Sequence, residues 1–466
     1  MNQIMLKMLD SWSRKDGNVN KTSELLGWIQ ELNANTYVNV EQTSIAEDPF
    51  WFYDDYRGEI LNRKRSFFSV LGMRYFLNER FVSEQPIILQ KEIGYLGIIV
   101  KEIDGVLNFL MQAKIEPGNI NHIQISPTIQ ATKSNFTRVH GGRVPYYFEY
   151  FEQAKKNGVV LYDQIQSEQG SRFDSKRNRN IILLLDKEIE VYPNYKWMTL
   201  GQIKELMKID NLINMDTRTV LAGIPFAADF YTEEEKEQAA GFFKDQALYH
   251  SIFRAKAADT LASVTSILND YKMFQDVKRV MVPLNQLVDW EVDEYGVACR
   301  KRADFVVRYY DIEISGREVH KWSQPLFKAE HRALYVLLTK VTQGIRWFLV
   351  SLQPEIGNFD KVELGPSLQI ADPGEYDAQD LVYKIFSKYE MGHTGVLNDV
   401  VLSEEGGRFY HEQNRNVIIE IKEEDAERVP TGKEYLWVDY NCLNFFVQTN
   451  NCMNIQLRNL LALLSI

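Results

Sequence analysis

Cysteine is scarce. The 466 residues hold three, Cys299, Cys442 and Cys452, too few and too scattered for a disulfide framework or a zinc ribbon. No stretch approaches the ~18 uninterrupted apolar residues of a membrane span. The opening MNQIMLKMLDSWSRKDG meets charge at Lys7 and lacks the apolar core of a secretion signal. The expectation is a soluble, unexported, cytoplasmic protein with no membrane partner. Basic charge is also short: 53 Lys and Arg against 64 Asp and Glu leave a net −11. No global positive field gathers a polyanion, so nucleic acid is excluded as a main partner. The phosphate-cradling GxGxxG and GxxxxGK[ST] patterns are missing, as are HExxH and CxxC. Seven histidines (122, 140, 250, 320, 331, 393, 411) show no metal-ligand spacing. Neither a metal nor a cofactor is therefore expected. What is present, 45% hydrophobic and 12% aromatic residues with 13 prolines, is an ordinary globular composition that excludes disorder over most of the length.

The length suggests two or three domains, and internal repetition decides between them. Trp51, Asp54 and Tyr56 recur as Trp290, Asp293 and Tyr295, and Gln85-Pro86 recurs as Gln324-Pro325, all 239 residues apart. SEQGSRFDSKRNRNII (167 to 182) meets SEEGGRFYHEQNRNVI (403 to 418) at spacing 236, with nine of sixteen positions identical. At spacing 240, Trp197, Asn214 and Arg218 meet Trp437, Asn454 and Arg458. The chain is a tandem duplication: a helical lead-in over 1–44, one module over 45–224, a helical linker over 225–285, and a second module over 286–466.

The period-two pattern Phe109, Met111, Ala113, Ile115, with turn chemistry at Pro117-Gly118-Asn119, predicts a β-hairpin over 109–130. A helix is predicted near Tyr147 to Lys156, and strands over 159–166 and 180–185. Thr199 is placed to cap a closing helix through the N–H of Gln202, and Asp439 takes that position in copy two. A capping box at Thr232 to Glu235 opens linker helices predicted to run through FFKDQALYHSIF. Each copy reads as a mixed α+β module, and the two are expected to pack together.

Polar residues concentrate on turns. The segment EPGNINHIQISPTIQATKSNFTRVHGGRVPY (116 to 146) suits hydrogen bonding to a polyhydroxylated, phosphorylated ligand, the alternative being a solvated loop. Positions kept in both copies are either fold requirements or a ligand site inherited twice: Glu116 and Glu355, Asn119 and Asn358, Gln130 and Gln369, Glu168 and Glu404, Gly170 and Gly406, Arg172 and Arg408. The two arginines suit a buried pair with Glu168 or Glu404 as well as diphosphate contact. His411 and His140 are isolated histidines, a type more often structural than catalytic.

The strings QAKIEPGNINHIQISPTIQATKSNFTRVHGG (112 to 142), SEQGSRF with KRNRN, GREVHKWSQPL (316 to 326) and SEEGGRFYHEQNRN (403 to 416) resemble the NDP-hexose 2,3-dehydratases of deoxysugar biosynthesis. The resemblance implies tandem Nudix-like modules, a homodimer, a nucleotide-linked 4-keto-6-deoxyhexose such as the dTDP sugar as substrate, and a ketoreductase downstream. No glutamate-rich Nudix box is present, which argues against the rival reading of a nucleotide-sugar hydrolase. A non-catalytic nucleotide-sugar-binding scaffold is the other rival.

The implied hydro-lyase reaction needs no redox cofactor: the 4-ketone acidifies the C3 proton, a base removes it, and hydroxide leaves C2 with help from an acid. On this resemblance the acid–base candidates are Glu116, Glu168, Glu404 and His411, with Glu355 as a further base. Nucleotide-sugar binding falls to Asn119, Gln130, Thr132, Asn135, Arg138, Gly141, Gly142, Arg143, Arg172, Arg408 and Asn414. Copy two has Ile356 where copy one has Pro117 before the glycine, so either copy remains open as the catalytic one. The expected site is composite: nucleotide on the 128–143 loop, and a proton-transferring glutamate or His411 from a repeat turn, within or across modules or a dimer.

Overall fold

The computed structural model describes residues 2–65, 67–132, 144–226, 231–256, 258–301, 304–316, 319–374, 377 and 379–466. Each module is built on a seven-stranded mixed sheet. In module one the order is Val159–Ser167, Arg177–Leu185, Gly94–Ile103, Val106–Ile115 and Tyr195–Thr199. Ile123–Ser126 pairs with Val106–Ile115, and Ile129–Ala131 with Gly94–Ile103. Module two repeats this with Val396–Ser403, Gln413–Glu420, Leu334–Thr342, Ile345–Gln353 and Tyr435–Asp439. One pairing in each sheet is parallel, Arg177–Leu185 with Gly94–Ile103 and Gln413–Glu420 with Leu334–Thr342. The fold is α+β and internally duplicated.

Both sheets turn an apolar face to one shared core. Ile98, Phe109 and Met111 of module one lie in the same buried cluster as Leu337, Phe348 and Val350 of module two, with the N-terminal helix adding Met5, Met8, Leu9 and Trp12 at helical spacing. The helical lead-ins are themselves equivalent. Ser11 donates to the carbonyl of Leu107 and accepts from the N–H of Leu200, while Ser251, 240 residues on, does the same with Arg346 and Tyr440.

Two smaller five-stranded sheets interlock the modules. Val38–Thr43 precedes module one but pairs antiparallel with Phe305–Ile314 of module two, Val40 opposite Ile312. Val277–Val282 precedes module two but pairs with Ser69–Leu77 of module one, Val280 opposite Arg74. The two edge strands are exchanged, so neither module completes its own small sheet.

Within each large sheet the two central strands pair at one end and part at the other. Thr128 bridges the fork: its hydroxyl accepts from the N–H of Ile99 at 2.9 Å and donates to the carbonyl of Leu110 at 2.5 Å. Ser367 does the same between Leu338 and Leu349 in module two. Backbone groups left unpaired by the fork are thereby satisfied, and the open end accommodates Glu116 and Gln130.

The expected hairpin forms as Val106–Ile115 against Ile123–Ser126. Thr199 caps Leu200–Leu206 at 3.1 Å from the N–H of Gln202, and Asp439 caps Tyr440–Val447 at 2.7 Å from that of Cys442. The linker helices form, with a break inside the expected run: the first ends at Ala240 with Gly241 as its cap, and the next, Gln246–Phe253, starts where the Asp245 carboxylate accepts from the N–H of Leu248. No helix among the described residues is long and apolar enough to cross a membrane.

Candidate functional site

The modules meet along a seam built from the kept turns. Gly118 of module one donates its N–H to the carbonyl of Gly406 in module two at 2.7 Å, and Gly357 donates to Gly170 at the same distance. A Cβ on Gly118 would lie 1.6 Å from the carbonyl oxygen of Phe409, and one on Gly357 would lie 1.9 Å from that of Phe173. These glycines serve close backbone approach. His411 and Ser175, at φ 51° and 54°, donate their N–H groups to the carbonyls of Gly118 and Gly357, each at 2.8 Å. Phe173 and Phe409 touch edge to face at 5.9 Å, placing the pseudo-two-fold axis between them.

One end of the seam is rich in ionisable groups. Glu116, at the end of Val106–Ile115, is ion-paired to Lys114 at 2.9 Å and accepts from Gln130 Nε2 at 3.2 Å. Gln130 Oε1 in turn accepts from Asn214 Nδ2 at 3.2 Å. Across the seam Glu405 is hydrogen-bonded to the carboxyl of Glu116. Burial, then the charge of Glu116, raises Glu405 well above the usual carboxylate range. Two carboxyls in contact cannot both ionise cheaply, so ionisation of one opposes ionisation of the other. Asp216 lies behind them, buried, with Oδ1 lacking a hydrogen-bond partner. Its pKa is raised first by burial, then by Glu168 and Glu116. Arg408 faces the same carboxyls, with its guanidinium 4.3 Å from the ring centroid of Phe68 and a 3.1 Å hydrogen bond to Gln90 Oε1.

The other end has the same frame with its charges redistributed: Glu363 stands in place of Gln124, its buried carboxylate accepting from the Ser167 hydroxyl at 2.6 Å. Glu355 accepts from Gln369 Nε2 at 2.6 Å, Gln369 Oε1 accepts from Asn454 Nδ2 at 2.8 Å, and Arg172 stacks 4.0 Å from the centroid of Phe305. Yet glutamines stand where the first end has charges: Gln353 for Lys114, Gln169 for Glu405 and Gln456 for Asp216, with Ser175 for His411. Glu355, without a carboxyl partner at the position of Glu405, is raised by burial to about 7.

The structure thus brings Glu116, Gln130 and Arg408 together and sets the other expected residues around them. Glu168 and Glu404 lie buried near the pseudo-axis, accepting from Asn178 and Asn414 respectively, and each keeps one carboxyl oxygen without a partner. Burial, then the charge of Glu412, holds Glu404 at about 8. His411 sits exposed on the rim, its ring stacked 4.0 Å from Tyr410, which stacks 4.2 Å from Tyr310. Loss of hydration of the stacked ring, then the charge of His122, lowers its pKa. Asn119 spends its amide N–H on the carbonyl of His122. Arg172 holds the second end, and Thr132 leads out of the strand Ile129–Ala131. Asn135, Arg138, Gly141, Gly142 and Arg143 lie outside the described residues. Among the described residues no group of three or more His, Cys, Asp or Glu side chains is arranged to hold a metal ion. Sequence reasoning missed Glu405, Asp216, Lys114 and Asn214; the charge differences between the two copies at the first three were the available signal.

Comparison with known proteins bears on what this seam is for. The NDP-hexose 2,3-dehydratase family model matches residues 22–224 and again 261–464. The chain belongs to this family. A relative from Saccharopolyspora spinosa is 36% identical over 448 residues, spanning 95% of this chain and 90% of its own length. One from Streptomyces violaceoruber is 35% identical over 460 residues, spanning 95% and 97%. A third, from Amycolatopsis orientalis, is 31% identical over 457 residues, spanning 96% and 91%. All three carry the name dTDP-4-dehydro-6-deoxy-alpha-D-glucopyranose 2,3-dehydratase. For an NDP-hexose 2,3-dehydratase the seam has a direct chemical reading. Elimination of water needs a base for one proton and an acid for the leaving hydroxyl, and two adjacent carboxyls are groups of the right type for both.

Proposed function

We propose that the protein dehydrates a dTDP-linked 4-keto-6-deoxyhexose across C2 and C3, with Glu116 and Glu405 as the acid–base pair. The ionised member takes the C3 proton, and the electron pair is stabilised as the enolate of the 4-ketone. The C2–O bond then breaks as the protonated member gives its proton to the departing hydroxyl, which leaves as water. The pair ends with one proton, as it began, and the 2,3-enol ketonises to the 3,4-diketo sugar that a ketoreductase consumes. Lys114 is the cation nearest Glu116 and compensates charge during transfer. Nucleotide binding falls to the 128–143 loop, Arg138 and Arg143 taking the diphosphate. Glu168 and Glu404 support the turns from behind, and His411 edges the entrance. The single observation that supports this assignment is the contrast between the seam's ends: on a shared frame, Glu116 has a carboxyl hydrogen-bonded to its own, whereas Glu355 has only the charge of Glu363 nearby.

The test is turnover of dTDP-4-keto-6-deoxyglucose with a ketoreductase present to trap the 2-deoxy product. Glu116→Gln and Glu405→Gln are expected to lower kcat by about 10²–10⁴-fold, the usual worth of an acid–base group, with dTDP affinity kept. In the same assay Arg138→Ala and Arg143→Ala raise KM with kcat nearly unchanged, the mark of lost uniform binding. Parent-like turnover by both glutamine variants would remove the pair from the mechanism.

A further inference from the structure

Resting on that reading, we infer that Arg218, remote from the pair in the sequence, is the positioning residue that sets Glu405 against Glu116 across the seam. Arg218 is 1% exposed and projects from the helix Met215–Ala222. Its Nη1–H donates to the carbonyl of Ile213 at 2.6 Å, and its Nη2–H crosses the seam to the carbonyl of Ser403 at 2.8 Å. Ser403 opens the turn that carries Glu404 and Glu405, and its hydroxyl accepts from Gln124 Nε2 of module one at 2.7 Å. The other carboxyl is tied to the same helix. Asn214, the helix N-cap, donates to Gln130, and Gln130 donates to Glu116. One helix start therefore fixes both members of the pair, Glu116 through two amides and Glu405 through a guanidinium and a backbone carbonyl.

The duplication supplies the control. Arg458 of the helix Ile455–Ala462 crosses the seam to the carbonyl of Ser167, and Asn454 reaches Glu355 through Gln369 in the same way. The turn it fixes carries Gln169 in place of Glu405, so Arg458 makes the corresponding cross-module tie with no carboxyl on that turn to set against Glu355. A lysine at either position keeps a cation but cannot span two carbonyls with a planar fork. At Arg218 that loss lets the turn shift. A displacement near 1 Å costs about 100-fold in rate, and carboxyls held farther apart titrate with less widely split apparent pKa values.

The experiment compares Arg218→Lys with Arg458→Lys, measuring thermal midpoint, kcat and the pH dependence of kcat/KM with dTDP-4-keto-6-deoxyglucose. Both variants should lose comparable thermal stability. Arg218→Lys should also lose about 100-fold in kcat and show a bell-shaped profile narrowed from both sides, whereas Arg458→Lys keeps the parent profile. Equal kcat loss in the two variants, or a parent-like profile in Arg218→Lys, overturns the inference. Glu116→Gln and Glu405→Gln run alongside separate the levels. If they turn over like the parent, the carboxyl-pair reading fails; if they are inactive while the two lysine variants match, only the positioning role fails. Should Arg218→Lys not be recovered folded, Arg218→Gln takes its place, since the carboxamide leaves no unpaired charge in the core yet cannot hold both carbonyls that the guanidinium holds. A narrowed profile in Arg218→Gln supports the inference and a parent profile overturns it.

Discussion

Replacing Glu404 by glutamine should stabilise the protein at alkaline pH and leave it unchanged in acid. The Glu404 carboxyl is buried; one oxygen accepts from Asn414, the other has no partner, and burial followed by Glu412 raises its pKa from 4.5 to about 8. Between those values the folded protein holds a proton that the unfolded chain has released. A raised carboxyl pKa therefore gives stability that is complete below pH 4.5 and declines as pH rises toward 8. At about 1.4 kcal/mol per pH unit, the decline attributable to this group over that interval is roughly 3–5 kcal/mol. Glutamine keeps the acceptor for Asn414 and has no charge to desolvate, so it escapes the decline. Urea unfolding of parent and E404Q at pH 5, 6, 7 and 8 reads this directly: the curves should coincide near pH 5 and separate progressively, E404Q the more stable. A difference independent of pH, or a parent whose relative stability rises with pH, would refute the account of this carboxyl as a buried, mostly protonated acid.

The exchanged strands give a prediction about where damage appears. Val40→Pro places a ring in a strand that precedes module one, yet hydrogen exchange should show lost protection at 305–314 of module two, with 69–77 of module one unaffected. Protection lost in module one instead would contradict the pairing of Val40 with Ile312. A two-fold homodimer, the assembly implied by the family resemblance, should scatter light at twice the 54.3 kDa chain mass at micromolar concentration; a mass near that of one chain counts against it.

Local chemistry was legible in the sequence and long-range pairing was not. Thr199, Asp439 and Thr232 are caps because a side-chain oxygen stands three residues before the N–H it accepts, a relation confined to four positions. The partner of Val38–Thr43 begins more than 260 residues away, and nothing in its period of two distinguishes one sheet edge from another. The kept glycines read as turn residues, whereas Gly118 and Gly357 are required by the backbone of the opposite module, a demand visible only once both modules are placed. Kept residues drew the sequence reading toward Glu168 and Glu404, which lie near the pseudo-axis. The pair at the seam required attention to the differing positions, Glu405 against Gln169 and Asp216 against Gln456.

Those differing positions carry the argument about function further than the kept ones. The two seam ends share their glycine contacts, their cross-module arginine ties, their amide chains and their stacked guanidinia. Since the frame forms around Gln169, Gln353 and Gln456, it does not require the charges of Glu405, Lys114 and Asp216. Two unit charges of like sign about 4 Å apart repel by about 4 kcal/mol at an effective dielectric of 20, and each buried carboxyl adds desolvation to that. Glutamines avoid both penalties, so folding alone favours them over carboxyls at positions 216 and 405. A cluster that is costly to the fold and dispensable to the frame is what the proposed chemistry would keep: one carboxyl to take a proton off carbon and a neighbouring one to give a proton to the leaving hydroxyl.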